Sequence, residues 1–268
     1  MRFFRAALVG LMALVFASCS TGKVQVVRRY DQPDYPELFG PQLKTVRIEV
    51  DYAQGAEPYT EAVGTLGSPW ELFAANAQRL FRAKTVEVPT TLDAMQPLGD
   101  VPGASFTVDQ ILDLADAHRD VKNGNGVASF YVIFLNGYYA ENDAAENNVL
   151  GASIGNTGVI AVFKPVVSGA GDGPRRQTGD RYVEQSTLIH EFGHAIGLVD
   201  NGVALATTHE DAAHPKHCAN SKCVLFWEND GAAAATQFVR SFLTSGNQVL
   251  FGPECLGDVD AFASKQGN

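Results

Sequence analysis

The chain has 268 residues, 46% of them hydrophobic and 19% charged, which is the composition of a globular protein with a real core. Thirty acidic side chains against twenty basic ones give a formal charge of -10 at pH 7, and no long basic run interrupts the balance. That distribution argues against nucleic acid as a partner.

In chain order, Arg2 and Arg5 precede a nearly continuous apolar run over 6–17, long enough for a signal-peptide core and short for a membrane span. The run ends in Phe16-Ala17-Ser18-Cys19. This resembles the lipobox of bacterial lipoproteins, with phenylalanine where leucine is usual. The resemblance implies removal of residues 1–18, lipidation of Cys19 and, with Ser20 next, sorting to the outer membrane of a Gram-negative envelope. Loss of the two arginines takes the charge from -10 to -12, so acyl chains rather than anionic headgroups would hold the protein at a membrane. Residues 19–42, with Pro33, Pro36 and Pro41, read as a tether. Residues 43–268 then form a single domain, divided into an N-terminal lobe (43–198) and a small C-terminal lobe (199–268).

Residues 44–52 alternate apolar and polar and predict a strand. Ser68-Pro69 predicts a helix start, and Trp70, Phe73, Ala77 and Leu80 supply its buried face. A second strand is expected over 84–88, and Thr107 should cap a helix with His118 at its polar end. Asn123-Gly124-Asn125-Gly126 signals a turn. The stretch 127–135 is apolar throughout and should be a central strand. Shorter strands follow at 149–154 and 159–163. The segment 168–181 carries glycine, proline and charge and reads as a mobile loop. After Trp227, Asn229-Asp230 should cap an alanine-rich helix over 232–243, followed by a short tail.

Everything upstream leads to Ser-Thr-Leu-Ile-His190-Glu191-Phe-Gly-His194-Ala-Ile-Gly197. On a helix, residues four apart share a face, so His190 and His194 can grip one metal ion. Glu191 beside them completes the H-E-x-x-H pattern, in which the glutamate moves the proton of a metal-polarised water. A catalytic zinc takes three protein ligands and keeps one position open. Gly197 allows the helix to stop and turn back. The extended pattern H-E-x-x-H-x-x-G resembles the metzincin proteases, where a third ligand falls three residues after the glycine, here Asp200. A second match competes: His217-Cys218, four residues, Cys223, one residue, Leu225 follows the spacing of archaemetzincins, with leucine in place of the Met-turn methionine. That match makes His217 the third ligand. His209 and His214 stay open as further candidates, read otherwise as exposed loop residues.

In archaemetzincins the cysteines hold a second zinc. For an exported chain the expectation is instead a Cys218–Cys223 disulfide, with Cys255 left over. The resemblance implies an α+β zincin fold, a twisted mixed sheet backed by helices, with the active-site helix at its end. It implies one catalytic Zn2+ and a monomeric endopeptidase acting on peptides or proteins at the cell envelope. The alternative is a non-catalytic lipoprotein that binds or buffers zinc.

Overall fold

The computed structural model describes residues 32–64, 67–170 and 176–267. The expected signal peptide at 1–18, the expected lipidation site Cys19 and the first part of the expected tether lie outside them. The end of the expected tether is built into the fold. Tyr35–Phe39 is a short helix, α1, with Pro36 in its first turn. Leu38 and Phe39 are buried, and the Phe39 ring stacks on Phe81 with centroids 5.2 Å apart.

β1 (Thr45–Ala53) arises where the alternation places it. α2 (Pro69–Leu80) starts at Ser68, whose hydroxyl accepts from the Trp70 N–H. β2 (Thr85–Glu87), β3 (Gln96–Gly99) and β4 (Ser105–Phe106) are short, and the last two occupy what reads in sequence as a plain connection. α3 (Val108–His118) carries a full capping box between Thr107 and Gln110. β5 (Val127–Leu135) is buried along almost its whole length, as continuous apolar character requires. β6 (Tyr138–Glu141) and β7 (Ala144–Glu146) form a small sheet with β4. β8 (Gly151–Ser153) and β9 (Val159–Phe163) flank a 3-10 turn at Gly155–Thr157.

The main sheet runs β2-β1-β5-β9-β8, with β3 also paired to β1. All its pairings are parallel except β8 with β9. Among the described residues, β8 is therefore an antiparallel edge strand, a mixed sheet in which helices cover the faces.

Two helices bracket the segment expected to be a mobile loop: α4 (Lys164–Ala170) and α5 (Arg176–Ala195). The loop reading is corrected accordingly, and only 171–175 lie outside the description. α5 is held by aromatic packing. The Phe192 ring sits 5.0 Å from Phe130, 5.4 Å from Phe73 and 6.2 Å from Phe81. Midway along it, buried Glu184 pairs with buried Lys164 and accepts the Tyr59 N–H at 2.8 Å. The Lys164 ammonium lies 3.3 Å from the Tyr59 ring centroid.

α5 ends as Gly197 predicts. Its φ is +87°, the Gly197 N–H bonds the His194 carbonyl at 3.0 Å, and the Leu198 N–H bonds the Gly193 carbonyl at 3.0 Å. These two bonds make a Schellman cap. A methyl group on Gly197 would meet the Tyr35 ring at 2.6 Å in addition to the backbone strain. Gly197→Ala is therefore expected to cost about 1–3 kcal/mol, read as a lower denaturation midpoint with an unchanged slope.

Beyond a 3-10 turn at Trp227–Asp230 come α6 (Ala232–Ser245) and α7 (Pro253–Lys265). α6 is capped by Gly231 without a side-chain bond, so the cap falls one residue beyond the expected Asn229-Asp230. The expected tail is α7, with Cys255, Asp258 and Val259 buried. No described helix is long and apolar enough to cross a membrane.

Candidate metal centre

His190 and His194 project from one face of the last turns of α5, and a long excursion of chain returns to bring His217 against them. The ligand atoms of these three histidines lie within 4.8 Å of one another. The Nε2 atoms of His190 and His194 are 3.0 Å apart. A tetrahedral zinc with Zn–N of about 2.0–2.1 Å would set them at about 3.3 Å, so a small adjustment suffices. Ring orientation is fixed from behind. His190 donates its Nδ1–H to the Val224 carbonyl at 2.7 Å, and His217 donates its Nδ1–H to the Pro215 carbonyl at 3.2 Å. Both tautomers therefore present Nε2 as the donor to a metal. The chemistry of this set, three imidazole nitrogens converging on one point, fits a borderline-soft divalent ion.

The other candidates go elsewhere. Val199 and Asp200 both take positive φ, 54° and 55°. Leu198 and Val199 bury their side chains, and the turn carries Asp200 outward to solvent. The short-spacing ligand is thus not delivered, because the chain packs inward at the two residues just before Asp200. His214 stacks on Trp227, centroids 3.8 Å apart and planes within 8°, and bonds Asp211. His118 is the last residue of α3 and is not one of the converging histidines.

Glu191 is nearly buried beside the histidines, and its Oε2 accepts the Ser153 N–H from β8 at 2.8 Å. The edge strand approaches this closely because Gly151 has no side chain: a methyl there would meet Thr187 at 2.8 Å and the Glu191 stem at 3.0 Å. Leu225 lies under α5 against Gly193, where a Cβ would meet its methyls at 2.9 and 3.1 Å. It fills the place under the histidines by packing alone.

A cleft of about 770 Å3 opens over the cluster. Gly151, Ala152 and Ser153 line one wall, Glu191, His194 and His217 the floor, and Trp227 and the start of α6 the other wall. An isolated antiparallel bridge between Val149 and Gly231 joins the two walls.

The cysteines depart from expectation. Cys218, Cys223 and Cys255 are all free and buried, so the Cys218–Cys223 disulfide is not formed. Cys223 Sγ lies 3.6 Å from Cys255 Sγ, and Cys218 Sγ lies 3.4 Å from His209 Nδ1. His209, read in sequence as an exposed loop residue, is buried. Hydrogen bonding with Cys223 and Cys255 holds the Cys218 thiol well below the ordinary range, while contact with Cys218 pushes the other two up. Three sulfurs packed this closely cannot all ionise without a cation.

No protein-family model, curated protein or solved structure matches this chain.

Proposed function

We propose that the protein is a zinc-dependent endopeptidase of the zincin type. The observation that carries the reading is the convergence of His190, His194 and His217 with Glu191 at the floor of a cleft whose wall is a sheet edge. A zinc ion there would supply Lewis acidity toward a carbonyl oxygen and make water a usable nucleophile near neutral pH. The chain's own groups do the rest. β8 offers backbone groups to an extended peptide by strand addition. Glu191, held by Ser153, accepts a proton from the attacking water and returns it to the departing amine. The alternative of a zinc-buffering protein gives no reason for a carboxylate fixed in that position. In line with the reading, the protein is proposed to be exported and anchored through Cys19, with a protein or peptide as substrate.

The test is zinc content and hydrolysis of a denatured protein substrate, with and without chelator, for the native chain, His217→Ala and Asp200→Ala. The native and Asp200→Ala chains are expected to keep the ion at this centre and the activity, and His217→Ala to lose both. Activity that survives complete chelation would end the reading.

A further inference from the structure

The open edge of β8 leaves little backbone for a substrate to hold. The Phe163 N–H donates to the Leu150 carbonyl at 2.9 Å and the Ile154 N–H donates to the Val159 carbonyl at 2.9 Å, so Leu150 and Ile154 face β9. Successive residues of a strand turn their backbone groups to opposite neighbours, which directs Val149, Gly151 and Ser153 to the open edge. Val149 is already bridged to Gly231, and the Ser153 N–H is taken by Glu191. Gly151 is the edge residue left to pair with a peptide. Backbone pairing over so short a stretch aligns a peptide but does not choose among side chains. The choice falls to the opposite wall.

On that wall Gly231 has no side chain and Ala232, Ala233 and Ala234 have only a methyl group, which leaves room for a long side chain from the substrate. Trp227 lines the cleft and is half-buried, and His214 stacked on its ring at 3.8 Å holds the indole in place. Glu228, the next residue, is exposed at the cleft. No lysine or arginine is among the described residues that line it. The whole chain carries a charge of -10, so the surrounding field has the same sign. An acidic side chain entering here meets carboxylates and no countercharge. A long cationic side chain can lie along the indole and end at Glu228. A guanidinium suits both partners, since it stacks on aromatic faces and pairs with a carboxylate through two N–H groups. The start of α6 pulls the other way, because a helix N-terminus favours an anion, but Glu228 already brings one to that end, three residues before the Gly231 cap.

We propose that the cleft selects peptides with an arginine or lysine side chain near the scissile bond, and that Glu228 is the residue that sets this preference. The proposal rests on the endopeptidase reading and names the substrate class of that site.

The test uses the zinc-loaded full chain and short end-blocked alanine peptides that carry arginine, glutamine, leucine or glutamate in the middle. Rates of hydrolysis are compared for the native chain, Glu228→Gln and Glu228→Lys. Binding of the same peptides, dye-labelled, is followed by fluorescence anisotropy on Glu191→Gln, so that affinity is read without turnover. The native chain is expected to favour arginine over glutamine by about 3–30-fold in kcat/KM. That ratio should shrink at an ionic strength of about 1 M, where the screening length is about 3 Å. Glu228→Gln should flatten the preference, and Glu228→Lys should turn it toward glutamate, which a merely structural role for Glu228 would not do. Hydrolysis at equal rates for the four peptides would overturn the proposal and leave the endopeptidase reading standing. So would a native preference for glutamate or leucine, or an arginine preference that survives Glu228→Lys. A native chain that hydrolyses none of the peptides, beside a Glu191→Gln chain that binds the arginine peptide most tightly, would count against the endopeptidase reading and leave the cation preference standing.

Discussion

Glu191→Gln is expected to retain the cleft metal while turnover on a peptide falls by about 10²–10⁴-fold. The amide is close in shape to the carboxylate and can still accept the Ser153 N–H that Glu191 accepts at 2.8 Å. It cannot take a proton from water. Because Glu191 is not in the group of donor atoms that converge on the metal position, the substitution separates metal binding from proton transfer. The check is zinc content beside initial rates at equal protein concentration. Equal rates for the two proteins would remove Glu191 from the mechanism.

Lys164→Met should cost about 3–5 kcal/mol of stability, because it strands Glu184 without a partner in a fully buried site. The Tyr59 N–H and the Gln185 side chain would remain, without a countercharge, to a charge that burial already disfavours. Burial raises the Glu184 carboxyl above its ordinary range. In the variant the folded state then holds a proton that the unfolded chain releases above about pH 4.3. The unfolded state binds fewer protons, so stability declines as pH rises, and the deficit against the native protein is smallest in acid. Adding Glu184→Leu should recover most of the loss, since replacing a buried pair by apolar groups is often neutral. Thermal melts of the two variants at acid and neutral pH measure all of this. A single variant as stable as the native chain at neutral pH would mean that water reaches Glu184.

Strong local signals placed much of this in the sequence. The alternation of β1, the Ser68-Pro69 and Thr107 starts, the apolar run of β5 and the Gly197 stop each reflect one dominant local force. Where forces compete, the reading failed. α5 begins at Arg176, inside the stretch 168–181 that reads as a loop, because Asp180 is a buried polar group that looks in sequence like a solvated one. α1 was hidden among prolines, although only Leu38 and Phe39 were needed to dock it. α7 was concealed because its buried face includes Cys255 and Asp258 beside Val259 and so does not read as an apolar stripe.

The site divides in the same way. His190, Glu191 and His194 are legible because one helix fixes their spacing. The third position depends on where an excursion of some twenty residues returns, and no local rule states that. His209 reads in sequence as a candidate third ligand, but its burial against Cys218 is not foreseen, for the same reason.

The pairing of β1 with β5 has a kinetic consequence. Thr45 lies beside Val127 and Tyr52 beside Phe134, in parallel, so partners in the middle of the sheet are about eighty residues apart along the chain. No hairpin can nucleate that contact, and loop closure must precede any gain from it. Val46, Ile48 and Val50 stay uncovered until β5 arrives. Refolding is accordingly expected in the millisecond-to-second range typical of non-local sheets, with the unpaired strand as the species that chaperones would hold. For a chain proposed to leave the cytoplasm, slow closure keeps it threadable until it has crossed.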